Sequence, residues 1–325
     1  MIRPFDLRDV PLIRRLSEQG VAMHSKAAFA DGVSPLRDAL LNIVSSDFPT
    51  FVYKAGDGGL DGFIQLNMEK GVESRAHLHY ISPDVTRNTR AIETAWFALL
   101  DQAVQEAGRR GIHSVVAEVD EESDALPILR QANFAIYTRQ DIYRLMEWPE
   151  NALSLPALTM QQKSDDWDVQ LLYSNIVPRL VQIVNPDPPT SRHGSWVLRE
   201  NGELTAFVHL HIGSAATWLR LFMHPDAISS ADELLTAVLQ LIPGKETHPV
   251  YASVRRYQGW QQAPLERIGF ELVRSQAVMA RHTTRQVKRQ TGTLRQSRDG
   301  KRIPVSAPIS GDHAPFTADL DEPKR

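Results

Sequence analysis

Side chains able to take a proton fall on and beside predicted strands in the N-terminal half of the chain. His77 and His79 alternate onto one face of a strand, Glu69 ends the strand before it, and Glu118 lies on a later strand. Carboxylates and imidazoles act as general bases when a reacting proton is within hydrogen-bond reach. Glu118, Glu69 and His79 are therefore candidate catalytic residues.

The histidines also fit other roles. His-x-His recurs at His209 and His211, and alternating histidines on a half-exposed strand are commonly ordinary surface or core residues. Two histidines on one face would suit a metal ion, but no third ligand has a readable spacing, so we expect no metal. The chain has no cysteine, which excludes disulfides, thiolate zinc sites and a cysteine nucleophile.

A second candidate chemistry is phosphate binding at the start of a long predicted helix. A helix N-terminus offers free amides and partial positive charge, and arginine adds charge-assisted hydrogen bonds. No acid follows until Glu93. The alternative is a loop with solvated arginines. The candidate phosphate-binding residues are Arg87, Asn88, Thr89, Arg90 and Ala91.

The elements that would position these residues follow from hydrophobic periodicity. A short strand and two helical patterns lead into three strands typical of an antiparallel meander. A long amphipathic helix over 89–109 then connects to a strand over 113–119, which is a strand, helix, strand crossover. A helix over 122–132 and a hairpin, with strands at 134–137 and 141–145, complete the unit.

The same order of elements recurs in the C-terminal half. The segment 130–134 matches 266–270 at an offset of 136 residues, and Pro83-Asp84 matches Pro225-Asp226 at an offset of 142. Duplicated domains with loop insertions give such nearly constant offsets. Chance similarity of two α/β domains is the alternative. We expect the two units to pack together with pseudo-twofold symmetry.

Length and composition agree with two soluble domains. The chain has 325 residues, 42% hydrophobic and 23% charged, with a net charge of -3, and units of about 140 residues can each bury a core. We predict domains at 1–148 and 158–282, joined by a proline-containing linker at 149–157. No apolar stretch could form a signal or span a membrane, so we expect a cytoplasmic protein without a membrane partner.

The segment 283–325 is rich in polar and basic residues, and we expect it to be a disordered basic tail. The basic run 281–302 could contact nucleic acid or an acidic partner. The alternative is a solvated tail, which is the commoner role of such runs.

The order of elements resembles that of the GNAT (GCN5-related N-acetyltransferase) superfamily. Residues 265–270, Leu-Glu-Arg-Ile-Gly-Phe, are similar to that family's Tyr-x-Lys-x-Gly-Phe helix ending. The resemblance covers about 1–146 and 155–282. It implies an α/β fold with a mixed α+β sheet and two tandem acyl-CoA N-acyltransferase-like domains.

The resemblance also implies acetyl-CoA or another acyl-CoA as co-substrate, with its pyrophosphate on a Gln/Arg-x-x-Gly-x-Gly/Ala loop. The first unit keeps the leading arginine as Arg87 but has Arg90 and Ile92 where glycines are expected. In the second unit, Ser230-x-x-Glu233 fits a capping box that brings negative charge to the helix start. The first unit is therefore the better candidate for the cofactor.

Catalysis in the family needs a base for the amine and an acid, commonly a tyrosine, for the departing thiolate. Leu129 and Leu265 stand at the two tyrosine positions. The sequence thus predicts an acyl-CoA-dependent N-acyltransferase with degenerate motifs, acting on an unidentified small-molecule or peptide amine. The alternative is a catalytically inactive GNAT-fold binding or assembly module that uses the basic tail to bind nucleic acid or a protein.

Overall fold

The fold was analysed in a computed structural model that describes residues 1–56, 59–68, 74–85, 90–149, 155–189, 194–242 and 248–283. These residues belong to one compact unit, Met1–Gln286. The predicted tail beyond Thr283 and most of the predicted linker lie outside the described residues. The predicted domain boundaries stay a prediction.

The N-terminal half has its helices and long strands in the predicted order, with a further short strand, Val21–Ala22, between the first two helices. A 3-10 turn (Leu7–Asp9) precedes the first helix, and a short π-helix (Ala27–Asp31) precedes the second. The strands are β1 (Ile2–Pro4), β2 (Val21–Ala22), β3 (Thr50–Tyr53), β4 (Gly62–Asn67), β5 (Arg75–Ser82), β6 (Ser114–Asp120) and β7 (Ala135–Leu145), and the helices are α1 (Val10–Leu16), α2 (Pro35–Ser45), α3 (Arg90–Arg109) and α4 (Ala125–Gln131).

The C-terminal half repeats that series. The strands are β8 (Thr159–Met160), β9 (Ser195–Glu200), β10 (Glu203–Ile212), β11 (Thr217–Met223), β12 (Val250–Arg255) and β13 (Phe270–His282), and the helices are α5 (Asp166–Ile176), α6 (Arg179–Val184), α7 (Ala231–Gln240) and α8 (Gln262–Arg267). Short 3-10 segments, Lys163–Asp165, Pro225–Ser230 and Arg256–Gln261, precede α5, α7 and α8.

The 13 described strands form one mixed sheet in the order β1-β3-β4-β5-β6-β13-β7-β12-β11-β10-β9-β8, with β2 paired to β5. Read from either edge, the order passes through equivalent strands of the two halves. The internal repeat is thus visible in the topology, and the predicted mixed-sheet fold class is confirmed.

The two halves exchange their last strands. β13 pairs antiparallel with β6 of the first half, and β7 pairs antiparallel with β12 of the second half. The predicted hairpin at 134–145 is wrong, because Ala135–Leu145 is one continuous strand whose partners come from the other half. Sequence periodicity could not reveal this, since a strand's pattern does not specify its partner.

The hydrophobic cores follow the exchange. Ala277 and Met279 of β13 are fully buried in the core that surrounds Trp96 of the first half. Tyr143 and Leu145 of β7 lie in the core of the second half. Since burying a large apolar side chain contributes about 1.5–3 kcal/mol, each half depends on the other for its core.

A buried polar pair marks the centre of the exchange. Gln140 of β7 and Gln276 of β13, 136 residues apart, are directly paired, and Gln140 Nε2 donates to Gln276 Oε1 at 2.9 Å. Ser25 Oγ also donates to Gln276 Oε1 at 2.7 Å, and Ser253 Oγ donates to Gln140 Oε1 at 3.1 Å. Because 136 is also the repeat offset, this pair lies where a pseudo-twofold axis relates the halves.

The same offset relates the turns that lead into the exchanged strands. Asn133 before β7 and Gly269 before β13 both have positive φ, 63° and 97°. A Cβ on Gly269 would lie 2.8 Å from the Glu147 carbonyl oxygen, so glycine is needed there for close approach as well.

None of the described helices is long and apolar enough to cross a bilayer.

We predict that Met279→Asp, near the C-terminal end of the fold, destabilises the N-terminal half. The buried carboxylate should cost about 4 kcal/mol or more, measured by urea unfolding. Hydrogen exchange should show lost protection in β4 and β5. Leu272→Asp is the matched control, because Leu272 is on the same strand but 52% exposed, and it should change stability by about 0.5 kcal/mol. Lost protection confined to 155–269 would contradict the exchange.

Candidate functional site

The central parallel strands diverge in both halves. β5 and β6 pair only where Arg75–His77 faces Ser114–Val116. β11 and β12 pair only where Thr217–Leu219 faces Val250–Ala252. Beyond these residues the two strands separate and leave a gap, in which the facing backbone groups need other hydrogen-bond partners. Each gap is therefore a place where an extended ligand could add to the sheet.

In the first half the chain itself fills the gap. β2 pairs with β5, Met23 N donates to the His79 oxygen at 3.1 Å, and Glu118 N donates to the Met23 oxygen at 2.9 Å. Met23 is fully buried and bridges β5 to β6. Gly20 permits the close approach, because a Cβ there would lie 2.5 Å from the Ile81 oxygen.

In the second half two side chains fill the equivalent gap. The amides of Gln258 and Gln261 donate to the Leu221 carbonyl oxygen at 3.1 and 2.9 Å. Both glutamines are buried, at 4% and 3% exposure. Leu221 follows His79 by 142 residues, the repeat offset of this region, so the two closures satisfy equivalent carbonyls by different means.

Glu118, the first candidate base, is held in an ion-paired site. It is buried, its Oε1 lies 3.7 Å from Arg255 Nη2, and its Oε2 accepts from Ser25 N at 2.7 Å. Burial raises the pKa of this carboxyl, but the charges of Arg255 and His24 and the Ser25 hydrogen bonds outweigh burial and lower it overall. A carboxylate with a lowered pKa is a weak base.

His79, the second candidate base, pairs with Asp38 rather than with Glu118. His79 is buried, and its Nε2 lies 3.1 Å from Asp38 Oδ2, also buried. Burial raises the pKa of Asp38, but His79 and Arg37 outweigh it and lower the pKa. Glu69 lies outside the described residues.

Of the candidate cofactor-binding residues, only the last two are described. Arg90 begins α3 and is exposed, and Ala91 is half-buried beside it. Ile92, at a position where the family motif has glycine or alanine, packs in the first core at 3% exposure. Arg87, Asn88 and Thr89 lie outside the described residues, so their role stays a prediction.

The capping box predicted in the second half is wrong. Ser230 precedes α7 but makes no side-chain hydrogen bond to the helix amides, and its Oγ donates back to the Ala227 oxygen at 2.9 Å. The 3-10 turn before α7 orients Ser230 away from the cap. Asp232 still brings negative charge to this helix start and forms an exposed ion pair with Arg267 at 2.7 Å.

The two leucines at the family's tyrosine positions are core residues. Leu129 on α4 is fully buried, and Leu265 on α8 is 1% exposed. Neither side chain has a proton to donate.

Comparison with solved structures identifies the fold. A GCN5-related N-acetyltransferase from Sphaerobacter thermophilus is similar at a TM-score of 0.54 and 13% identity, covering 87% of this chain and 95% of that one. A tandem GNAT protein from the clavulanic acid biosynthesis pathway is similar at a TM-score of 0.50 and 13% identity, covering 87% and 98%. This chain has a tandem GNAT fold. No protein-family model matches the sequence, and no curated protein matches it significantly.

A cavity of about 680 Å³, here called the central cavity, lies between the two halves of the tandem GNAT fold. His77 lines it from the first half and stacks on His24 with ring centroids 4.0 Å apart. Burial, together with the charges of His24 and Arg75, lowers the pKa of His77 well below its ordinary value. Arg220 and Arg255 line the cavity from the second half.

Sequence reasoning missed these arginines, although a signal was present. Arg220 interrupts the apolar run Trp218–Met223, and Arg255 ends a buried strand. A lone charged residue within a buried strand needs a partner or a ligand. In the described part of the chain, no group of three or more histidine, aspartate or glutamate side chains is arranged to hold a metal.

We predict that Glu118→Gln destabilises the fold, because it removes the carboxylate that pairs with buried Arg255. The expected cost is about 3 kcal/mol in urea unfolding at pH 7. Glu121→Gln, in an exposed ion pair with Arg256, should cost about 1 kcal/mol or less.

Glu118→Gln should also change how the stability of the fold depends on pH. Because the folded pKa of Glu118 is lowered, its stabilising contribution is present above the unfolded value, about 4.3, and is lost as pH falls through the folded value. The wild type should therefore lose more stability below about pH 4.3 than Glu118→Gln does. Equal losses would show that the carboxylate is not held by Arg255.

Proposed function

We propose that this protein is a ligand-binding module built on a tandem GNAT fold, with its ligand held in the central cavity and without acetyl transfer. The observation that carries the proposal is the closure of both strand gaps by the chain's own groups. With the His79 and Leu221 carbonyls already satisfied, an extended acyl-CoA arm would have to displace Met23 or the two buried glutamines.

The polar groups available for chemistry support the same proposal. Glu118 is committed to Arg255 and Ser25, and His79 is committed to Asp38. A base that must first leave a buried ion pair would add that cost to the barrier. The buried leucines at 129 and 265 supply no acid in place of the family's tyrosine.

An acyl-CoA-dependent N-acyltransferase is the second candidate, and two observations favour it. The fold is that of proteins described as acetyltransferases, and Arg90 at the start of α3 is exposed, which supports phosphate binding there. In this candidate, residues 87–91 would hold the pyrophosphate and Met23 would have to move.

Titration calorimetry with acetyl-CoA and with a longer acyl-CoA separates the two candidates. We expect no saturable heat, corresponding to a Kd weaker than about 1 mM, and no release of free CoA thiol with a mixture of amines. The physical reason is that both gaps are occupied.

The double variant Arg87→Ala, Arg90→Ala is the control for this experiment. Binding by the wild type that the double variant loses would overturn the proposal and place the cofactor at the α3 start. Thiol release that depends on an added amine would establish the transferase.

A further inference from the structure

Two arginines that line the central cavity, buried Arg255 and half-buried Arg220, have incompletely satisfied charges. Arg255 is 6% exposed, its single carboxylate neighbour among the described residues is Glu118 at 3.7 Å, and its Nε and Nη1 have no hydrogen-bond partner. Arg220 lies over the Phe222 ring, 5.0 Å from its centroid, and pairs with no carboxylate in the part of the chain that the structure describes. Buried guanidinium donors without acceptors are strongly unfavourable unless a ligand supplies them.

Among the described residues that line the cavity, cationic side chains outnumber carboxylates. Of the two described carboxylates, Glu118 already accepts from Ser25, and Asp187 is exposed. Clefts lined by one sign of charge concentrate ligands of the opposite sign. The cationic lining residues are Lys26, Arg75, Arg220 and Arg255.

A neutral donor lies in the same cavity. The Tyr137 hydroxyl oxygen accepts from Asn185 Nδ2 at 3.1 Å, which leaves its own proton available. Burial raises the pKa of Tyr137, so the phenol keeps that proton at neutral pH. Tyr137 lies on β7, one of the exchanged strands, and Arg255 lies on β12 beside it. The donors from both halves therefore converge only because the strands are exchanged.

We propose that the central cavity binds a small molecule through an oxyanion, a phosphate or carboxylate group, held by Arg220 and Arg255 with Tyr137 as a further donor. This deepens the proposed function by naming the chemical class of its ligand. Guanidinium groups match both oxyanions with paired hydrogen bonds. The volume of 680 Å³ lies within the range of about 300–1,000 Å³ typical of small-molecule sites.

The test is thermal unfolding of the full chain with inorganic phosphate and with citrate, each against sodium chloride at equal ionic strength. We expect at least one of the two anions to raise Tm in a saturable manner, because a ligand that binds only the folded state stabilises it. Stabilisation by phosphate alone or by citrate alone identifies the group that the site prefers. No rise beyond the chloride control with either anion overturns the proposal.

Arg220→Met is the decisive variant. Among the described residues no carboxylate pairs with Arg220, and burial and Arg255 lower its pKa, so its removal should not lower Tm without added anion. Arg220→Met should also lower the apparent anion affinity at least tenfold. Arg267→Met, on the surface in a pair with Asp232, is the matched control and should respond to anion as the wild type does. Unchanged anion stabilisation in Arg220→Met overturns the proposal.

Tyr137→Phe gives a second readout if the arginine variant proves poorly folded. It removes one donor while keeping the ring, so we expect a several-fold weaker anion response, and an unchanged response contradicts the role of Tyr137. Failure of the oxyanion-site proposal is distinguishable from failure of the proposed function. Acetyl-CoA binding that is lost in Arg87→Ala, Arg90→Ala but retained in Arg220→Met would sink the proposed function and leave the anion site standing.

Discussion

The hydrogen bond between Gln140 and Gln276 lies at the point on which the rest of the structure depends. These amides are paired across the ladder of the two exchanged strands, and both are buried. A slip of one residue would turn Ala277 and Met279 away from the first core, since successive side chains point to opposite faces. It would also leave buried amides without partners, which costs more than their pairing contributes. The polar pair thus favours one register, and the apolar residues on either side make that register stable.

The strand exchange also explains why charged side chains of both halves lie together in the central cavity. Glu118 is on β6 and Arg255 on β12, strands of different halves that the exchanged pair β13 and β7 separates in the sheet. Both side chains reach the cavity above that pair. A buried ion pair is weak evidence for stability, because desolvation offsets much of the attraction. The ion pair alone therefore does not account for the polar cavity, and this supports the ligand-binding role that we propose for it.

Much of the fold could be predicted from the sequence, because periodicity and turn residues are local signals. The crossover from α3 to β6 and the repeat of 130–134 at 266–270 were readable in this way. The exchange was not, because pairing between β13 and β6 depends on contacts across more than 150 residues. The candidate site was predicted less well for a similar reason. Met23 and Gln258 look like ordinary residues in sequence. Their role in closing the gaps follows only from the divergence of neighbouring strands, which the sequence does not show.

The strand exchange also dictates an order of events during synthesis. When the first half has emerged from the ribosome, β6 has an open edge where β13 will later bind, and Gln276 lies 156 residues beyond its partner Asp120. Contacts so distant in sequence slow folding, because loop closure must precede the gain from pairing. Until then the nascent chain exposes strand edges, which are prone to pair with other chains. We therefore expect the first half to be most prone to aggregation before the last strand, β13, has been translated and can pair with β6.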